Sequence, residues 1–69
     1  MKIERNIKYG NEGGLECWVI LFDDGSAAIT GSINYIIEES DDALQRAEFI
    51  LDKHGYKRTA EIEPRSDLP

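Results

Sequence analysis

The sequence has one cysteine, one histidine and two prolines in 69 residues. Each shortage closes a class. Cys17 cannot form an internal disulfide, and with His54 alone it makes no Cys/His ligand set, so neither a disulfide framework nor structural zinc is expected to support the core. No stretch is long enough to cross a bilayer, and Met1-Lys2-Ile3-Glu4-Arg5 lacks the apolar run of a signal peptide. A cytoplasmic protein is expected. Bases are also scarce, with eight lysines and arginines against fourteen acids and a net charge of −6. That balance repels nucleic-acid phosphates and anionic lipid, so direct nucleic-acid binding and membrane association are not expected, and a basic protein surface is the natural partner.

What remains is enough for one small domain. The length excludes two cores or a core with a long catalytic insertion, while 41% hydrophobic and 9% aromatic residues can still bury a core. A single domain is expected over residues 1–63, with a flexible tail over 64–69.

Apolar alternation predicts a first, edge-like strand over residues 1–9, with Ile3, Ile7 and Tyr9 on one side and Arg5 interrupting them. Gly10-Asn11-Glu12-Gly13-Gly14 then reads as a flexible connection, with no following helix or lysine to complete a phosphate-binding loop. Residues 15–22 form the strongest strand, and both of its faces are apolar: Leu15, Cys17, Val19 and Leu21 on one, Trp18, Ile20 and Phe22 on the other. Asp23-Asp24-Gly25-Ser26 signals a hairpin with a two-residue type I′ turn. That register sets Phe22 opposite Ala27 and Ile20 opposite Ile29, and makes the Trp18, Ile20 and Phe22 side the expected core face. Beyond a bend or bulge at Gly31, Ile33, Tyr35 and Ile37 alternate in a further extended piece.

One helix is expected over about residues 41–54. Ser40 is its predicted N-cap, Asp41 and Asp42 suit the positive end of its dipole, and Gly55 occupies the C′ position with Tyr56 placed to touch Leu51. Ala43, Leu44, Ala47, Ile50, Leu51 and His54 fall on one face, and Phe49 falls on the polar side. Residues 56–62 read as a last strand stopped by Pro64, with Tyr56, Arg58, Ala60 and Ile62 on one side. The expected fold is a small two-layer α+β domain of order β-β-β-α-β, an antiparallel sheet of three to four strands with one helix on one face.

Candidate chemistry is sparse. His54 at the helix C-terminus has a capping role available, and no nucleophile and acid surround it at the spacing of a known hydrolase. Cys17, mid-strand among hydrophobics, reads as a buried inert thiol. Asp23-Asp24 lacks the further oxygen ligands of a calcium loop. No enzymatic activity, cofactor or metal is therefore expected. The informative feature is charge: residues 9–45 hold eight acids and no lysine or arginine. Turn and helix start could place Asp23, Asp24, Glu38, Glu39, Asp41 and Asp42 on one acidic rim, fitted to a basic partner surface. Phe49, an aromatic between Arg46 and Lys53 on the polar helix face, is a second candidate binding residue.

The run from Ile37 to Phe49, followed by Gly55-Tyr56, Thr59 and Pro64, together with Cys17-Trp18 before an acidic turn, resembles the small phage-encoded inhibitors of bacterial host RNA polymerase. The resemblance covers roughly residues 17–64 and implies a strand pair, one helix, a closing strand and a non-enzymatic, polymerase-binding function. The functional last-strand arginines of that family have no counterpart here, where Ala60, Glu61 and Glu63 stand. A second resemblance, carried by Val19 to Thr30 and Ser40 to Ala47, is to HicB-type antitoxins, and implies a homodimer. Small size and acidity also suit an anti-CRISPR protein. The leading expectation is a phage or mobile-element inhibitor, monomeric or dimeric, that occupies a basic surface of a host nucleic-acid-handling machine.

Overall fold

The computed structural model describes residues 2–62. The tail expected over 64–69 and the strand stop at Pro64 lie outside the described residues. In chain order the elements are β1 (Ile3–Gly10), β2 (Glu16–Phe22), β3 (Ala27–Gly31), β4 (Tyr35–Ile37), α1 (Ala43–Lys53) and β5 (Lys57–Ile62). The strands form one five-stranded sheet of order β4-β3-β2-β1-β5, antiparallel throughout. The α+β class with one helix is as expected, but the sheet has one or two strands more. The additional strand is β4, which Gly31 makes possible: at φ +126° the chain leaves β3, turns, and pairs Tyr35 back on Ile29. Only glycine fits there, because a Cβ would stand 2.6 Å from the Glu16 carbonyl oxygen.

Three local registers differ from the expected ones. The β2–β3 loop has three residues rather than two: Phe22 N–H donates to the Ser26 carbonyl (2.9 Å), Gly25 N–H donates to the Phe22 carbonyl (3.1 Å), and Gly25 takes φ +91°. This is the three-residue hairpin with a glycine at the left-handed position, and it moves the pairing by one residue. Leu21 therefore faces Ala27, Val19 faces Ile29 and Cys17 faces Gly31. The core face is consequently Cys17, Val19 and Leu21, not Trp18, Ile20 and Phe22 as expected, since a one-residue slip changes which side chains share a side. In β5 a register irregularity at Thr59 puts Arg58 and Glu61 opposite Tyr9 and Ile7, and Ala60 opposite Lys8. Arg58 and Ala60 therefore do not share a side. A similar irregularity in β1 pairs Ile3 with Phe22, away from the side of Ile7 and Tyr9.

The Gly-rich connection is a closed turn rather than a loose one. Gly14 N–H donates to the Asn11 carbonyl, and the Asn11 side chain accepts from Leu15 N–H at 3.0 Å. Leu15 lies outside β2 and is 53% exposed.

The helix starts later than expected, at Ala43, with Asp42 rather than Ser40 as N-cap. Ser40 Oγ instead accepts from Asp42 N–H at 3.2 Å, making a tight turn that consumes residues 40–42 before the helix begins. Its C-terminus follows the sequence closely: Gly55, at φ +82°, donates to the Asp52 carbonyl, and Tyr56 N–H donates to the Leu51 carbonyl, both at 3.0 Å. That is the Schellman arrangement, with Tyr56 and Leu51 buried together in the core. The helix lies over β2, β3 and β4. Ala43, Ala47 and Leu51 point into the sheet, and Leu44 and Ile50 flank them. His54, expected on this face, is exposed instead, because the chain leaves the helix at its position. The core is completed by Ile7, Tyr9, Cys17, Val19, Ala27, Ile29, Ile37 and Tyr56.

Candidate functional site

The acids singled out by the sequence lie on two loops, and the fold joins those loops. Asp23 and Asp24 belong to the β2–β3 hairpin loop, and Glu38, Glu39, Asp41 and Asp42 to the β4–α1 connection. Ser40 N–H donates to the Gly25 carbonyl at 3.1 Å, and the Glu39 side chain lies against Gly25. This tie exists because β4 doubles back along β3 and delivers its C-terminal end to the hairpin turn. The six acids thus occupy one end of the molecule, and all six are exposed.

Their local chemistry is not uniform. Asp24 accepts from both the backbone N–H (2.9 Å) and the hydroxyl (2.6 Å) of Ser26, and these bonds hold its carboxyl below the usual range. Asp42 is likewise held low, first by the Ser40 hydroxyl and then by Arg46, whose Nε donates at 2.9 Å. Asp23 accepts from the Lys2 backbone N–H at 3.2 Å. Among the described residues Arg46 is the one cation that forms an ion pair with any of the six. Asp24 and Asp42 therefore also shape their turns, whereas Glu38, Glu39 and Asp41 are solvated carboxylates.

Phe49 is separate from this rim. It stands 65% exposed on the outward side of α1, with Lys53 Nζ 5.1 Å from its ring centroid, and of the six acids only Asp42 borders the shallow groove beside it.

A contrasting polar cluster lies on the side of α1 facing β1 and β5, and the sequence reading did not single it out. The Tyr9 hydroxyl donates to Glu48 (2.5 Å), the same carboxylate oxygen accepts from Arg58 (2.6 Å), and Arg5 makes a two-point contact with Glu61 at 2.7 and 2.8 Å. Burial, followed by the bond to Glu48, raises the Tyr9 pKa to about 12, while the Tyr9 hydroxyl and then Arg58 hold Glu48 low. The β5 irregularity at Thr59 was the missing piece, since it is what turns Arg58 toward Tyr9.

One apolar side of the sheet is also uncovered among the described residues. Trp18, Ile20 and Phe22 lie partly buried on the side of the sheet away from α1, where no described element covers them. The same side carries Ile36, 75% exposed at the β4 edge, because Ile36 pairs with Ala28 and Ala28 with Ile20. Asn6, opposite Ile20, has its side-chain oxygen shielded from water without a described partner. Cys17 is buried, with its Sγ 3.1 Å from Ser32 Oγ, which also meets the Tyr56 hydroxyl at 2.5 Å. Among the described residues no three His, Cys, Asp or Glu side chains converge as a metal-ligand set, and no helix is long and apolar enough to cross a membrane.

Comparison of the chain with protein-family models, with curated proteins and with solved structures found no match.

Proposed function

We propose that this chain is a non-enzymatic, acidic protein-binding module that docks its loop end on a basic surface of its partner. The observation that carries the reading is the 3.1 Å bond from Ser40 N–H to the Gly25 carbonyl, which gathers two acidic loops into one rim. Six carboxylates that pair with a single arginine among the described residues project a concentrated negative potential, which speeds encounter with a positive surface and disfavours acidic competitors. The basic surfaces that suit such a rim are those of nucleic-acid-handling machines, and the resemblance of the Ile37 to Phe49 segment to phage polymerase inhibitors points to the same class. RNA polymerase and CRISPR-type complexes are the targets to try first, with a phage or mobile element as source and the host cytoplasm as the place of action.

The test is capture from bacterial lysate on the immobilised protein with elution by a salt gradient, beside a variant carrying Asp23→Lys and Asp41→Lys. The expected result is a retained polymerase, nuclease or CRISPR complex that elutes at clearly lower salt from the variant. Unchanged elution from the variant would remove the rim from the binding site.

One observation favours a second reading, a small homodimeric assembly subunit or HicB-like antitoxin: the uncovered apolar side of the sheet around Trp18 and Ile20. Light scattering separates the readings, since the dimer predicts twice the 7.8 kDa of the single chain.

A further inference from the structure

The sheet ends in two edges that differ in chemistry. β5 presents Lys57, Arg58 and Glu61 and breaks its register at Thr59, devices that discourage a further strand. β4 has neither: Tyr35-Ile36-Ile37 carries no charge, and its outer side pairs with no described strand. Tyr35 is 52% and Ile36 75% exposed, one on each side of the sheet. The strand also runs straight into Glu38 and Glu39, and a groove of about 470 Å³ is lined by Tyr35, Ile36, Glu38, Glu39, Arg46 and Ile50. Arg46 in that groove is already tied to Asp42. An unpaired apolar edge thus continues without a break into two exposed carboxylates.

We infer that β4 receives an extended segment of the partner as a sixth strand, with lysine or arginine side chains opposite Glu38 and Glu39 and an apolar side chain beside Ile36. The inference rests on the acidic-module reading and names how the partner is held. Backbone pairing to Tyr35–Ile37 supplies affinity, and the side chains flanking it supply selection. An antiparallel addition continues the pattern of the sheet. Its basic residues then precede its apolar ones, because the chain opposite Glu39 and Glu38 comes first. Charge selects this occupant over a second copy. A two-fold antiparallel pairing centred on Ile36 sets Glu38 opposite Asn34 and Glu39 opposite Ile33, gives the acids no cation, and joins two chains of net charge −6.

The experiment is a titration of the isotope-labelled protein with the blocked hexapeptide Lys-Arg-Thr-Val-Thr-Tyr, which sets its valine opposite Ile36, and with its Glu-Glu-Thr-Val-Thr-Tyr counterpart, followed by amide chemical shifts. Expected are shifts centred on residues 35–39, affinity for the basic peptide at least about tenfold above that for the acidic one in low salt, and a loss of about tenfold in Ile36→Lys. Ile36 is too exposed for that change to unfold the domain, and a thermal melt verifies it. Equal affinity for both peptides, no binding of either at millimolar concentration, or shifts centred on β5 or on Trp18 and Ile20 would overturn the inference. So would concentration-dependent shifts of residues 35–37 without peptide, which assign the edge to a second copy. The two proposals fail separately: if Asp23→Lys with Asp41→Lys weakens capture from lysate and Ile36→Lys does not, the rim stands and the edge inference falls. The reverse pattern removes Asp23 and Asp41 from the contact and confines the partner to the edge and its two glutamates.

Discussion

Both sides of the sheet carry apolar side chains, yet among the described residues only one is covered. Beneath the helix lie Ile7, Cys17, Val19, Ala27 and Ile29, none more than 1% exposed, while Trp18, Ile20 and Phe22 on the other side remain partly open. Within β2 the larger side chains are on the open side. Hydrophobicity alone does not decide which side a helix covers; clearance does. Ala43 and Ala47 bring the α1 backbone close to the sheet, and that approach needs Cys17, Val19 and Ala27 beneath it rather than a tryptophan and a phenylalanine. Among the described residues the open side is then supported laterally, by strand neighbours such as Ala28 beside Ile20 and Thr30 beside Trp18.

Substitution on the two sides should expose that difference. The largest effect is expected at Leu51, fully buried under the helix, where Leu51→Ala should cost about 2–5 kcal/mol in urea unfolding. On the outward side of the same helix Phe49→Ala should stay within about 0.5 kcal/mol. Next comes clearance itself: Ala47→Leu should cost about 1–3 kcal/mol by forcing helix and sheet apart, and a neutral result would mean that closeness does not select the covered side. Truncation of the open side should be milder, with Ile20→Ala costing about 1 kcal/mol or less, and a loss matching that of Val19→Ala would make the sides equivalent.

The smallest expected effect is on pH dependence. Tyr9 is protonated and bonded in the folded protein, with its pKa raised from 10.0 to about 12. Its contribution should therefore be fully present below pH 10 and be lost as pH rises toward 12. Glu48 works in the opposite sense: its folded pKa is depressed, so its contribution is present above the ordinary glutamate value of 4.5 and fades on acidification below it. Tyr9→Phe should abolish the alkaline loss in a melting-temperature profile and also shrink the acid limb, because it removes the hydroxyl that contributes most to holding Glu48 low. An unchanged alkaline limb would assign it to other groups.

Much of this organisation was legible in the sequence, and the failures have local causes. The helix C-terminus was readable to the residue, because Gly55 at a left-handed position and Tyr56 packing on Leu51 are interactions within one turn of chain. The helix N-terminus was displaced by two residues, since Ser40 and Asp42 satisfy one another in a turn that competes with capping. The core side was misassigned because Asp23-Asp24-Gly25 serves equally in a two- and a three-residue loop, and a single residue of register exchanges Leu21 for Phe22 opposite Ala27. The joining of the acidic loops depends on strand topology, which no single motif specifies. Pairing of β4 back along β3 decides it, and no local pattern around Tyr35 announces that return. The Tyr9, Glu48 and Arg58 cluster was invisible for a related reason: its members meet only through the Thr59 irregularity.

The position of β1 has a consequence for how the chain acquires its structure during synthesis. β1 is made before the other strands of the sheet, yet in the finished sheet it is flanked by β2 and by β5, and Asn6 waits for Ile62. Closure across most of the chain carries the largest loop entropy in the sheet and comes late. Until residues 57–62 clear the ribosome, Ile3–Gly10 is an open edge, and a nascent chain stalled before Lys57 would present to the translation quality-control machinery a strand edge that pairing with β5 conceals.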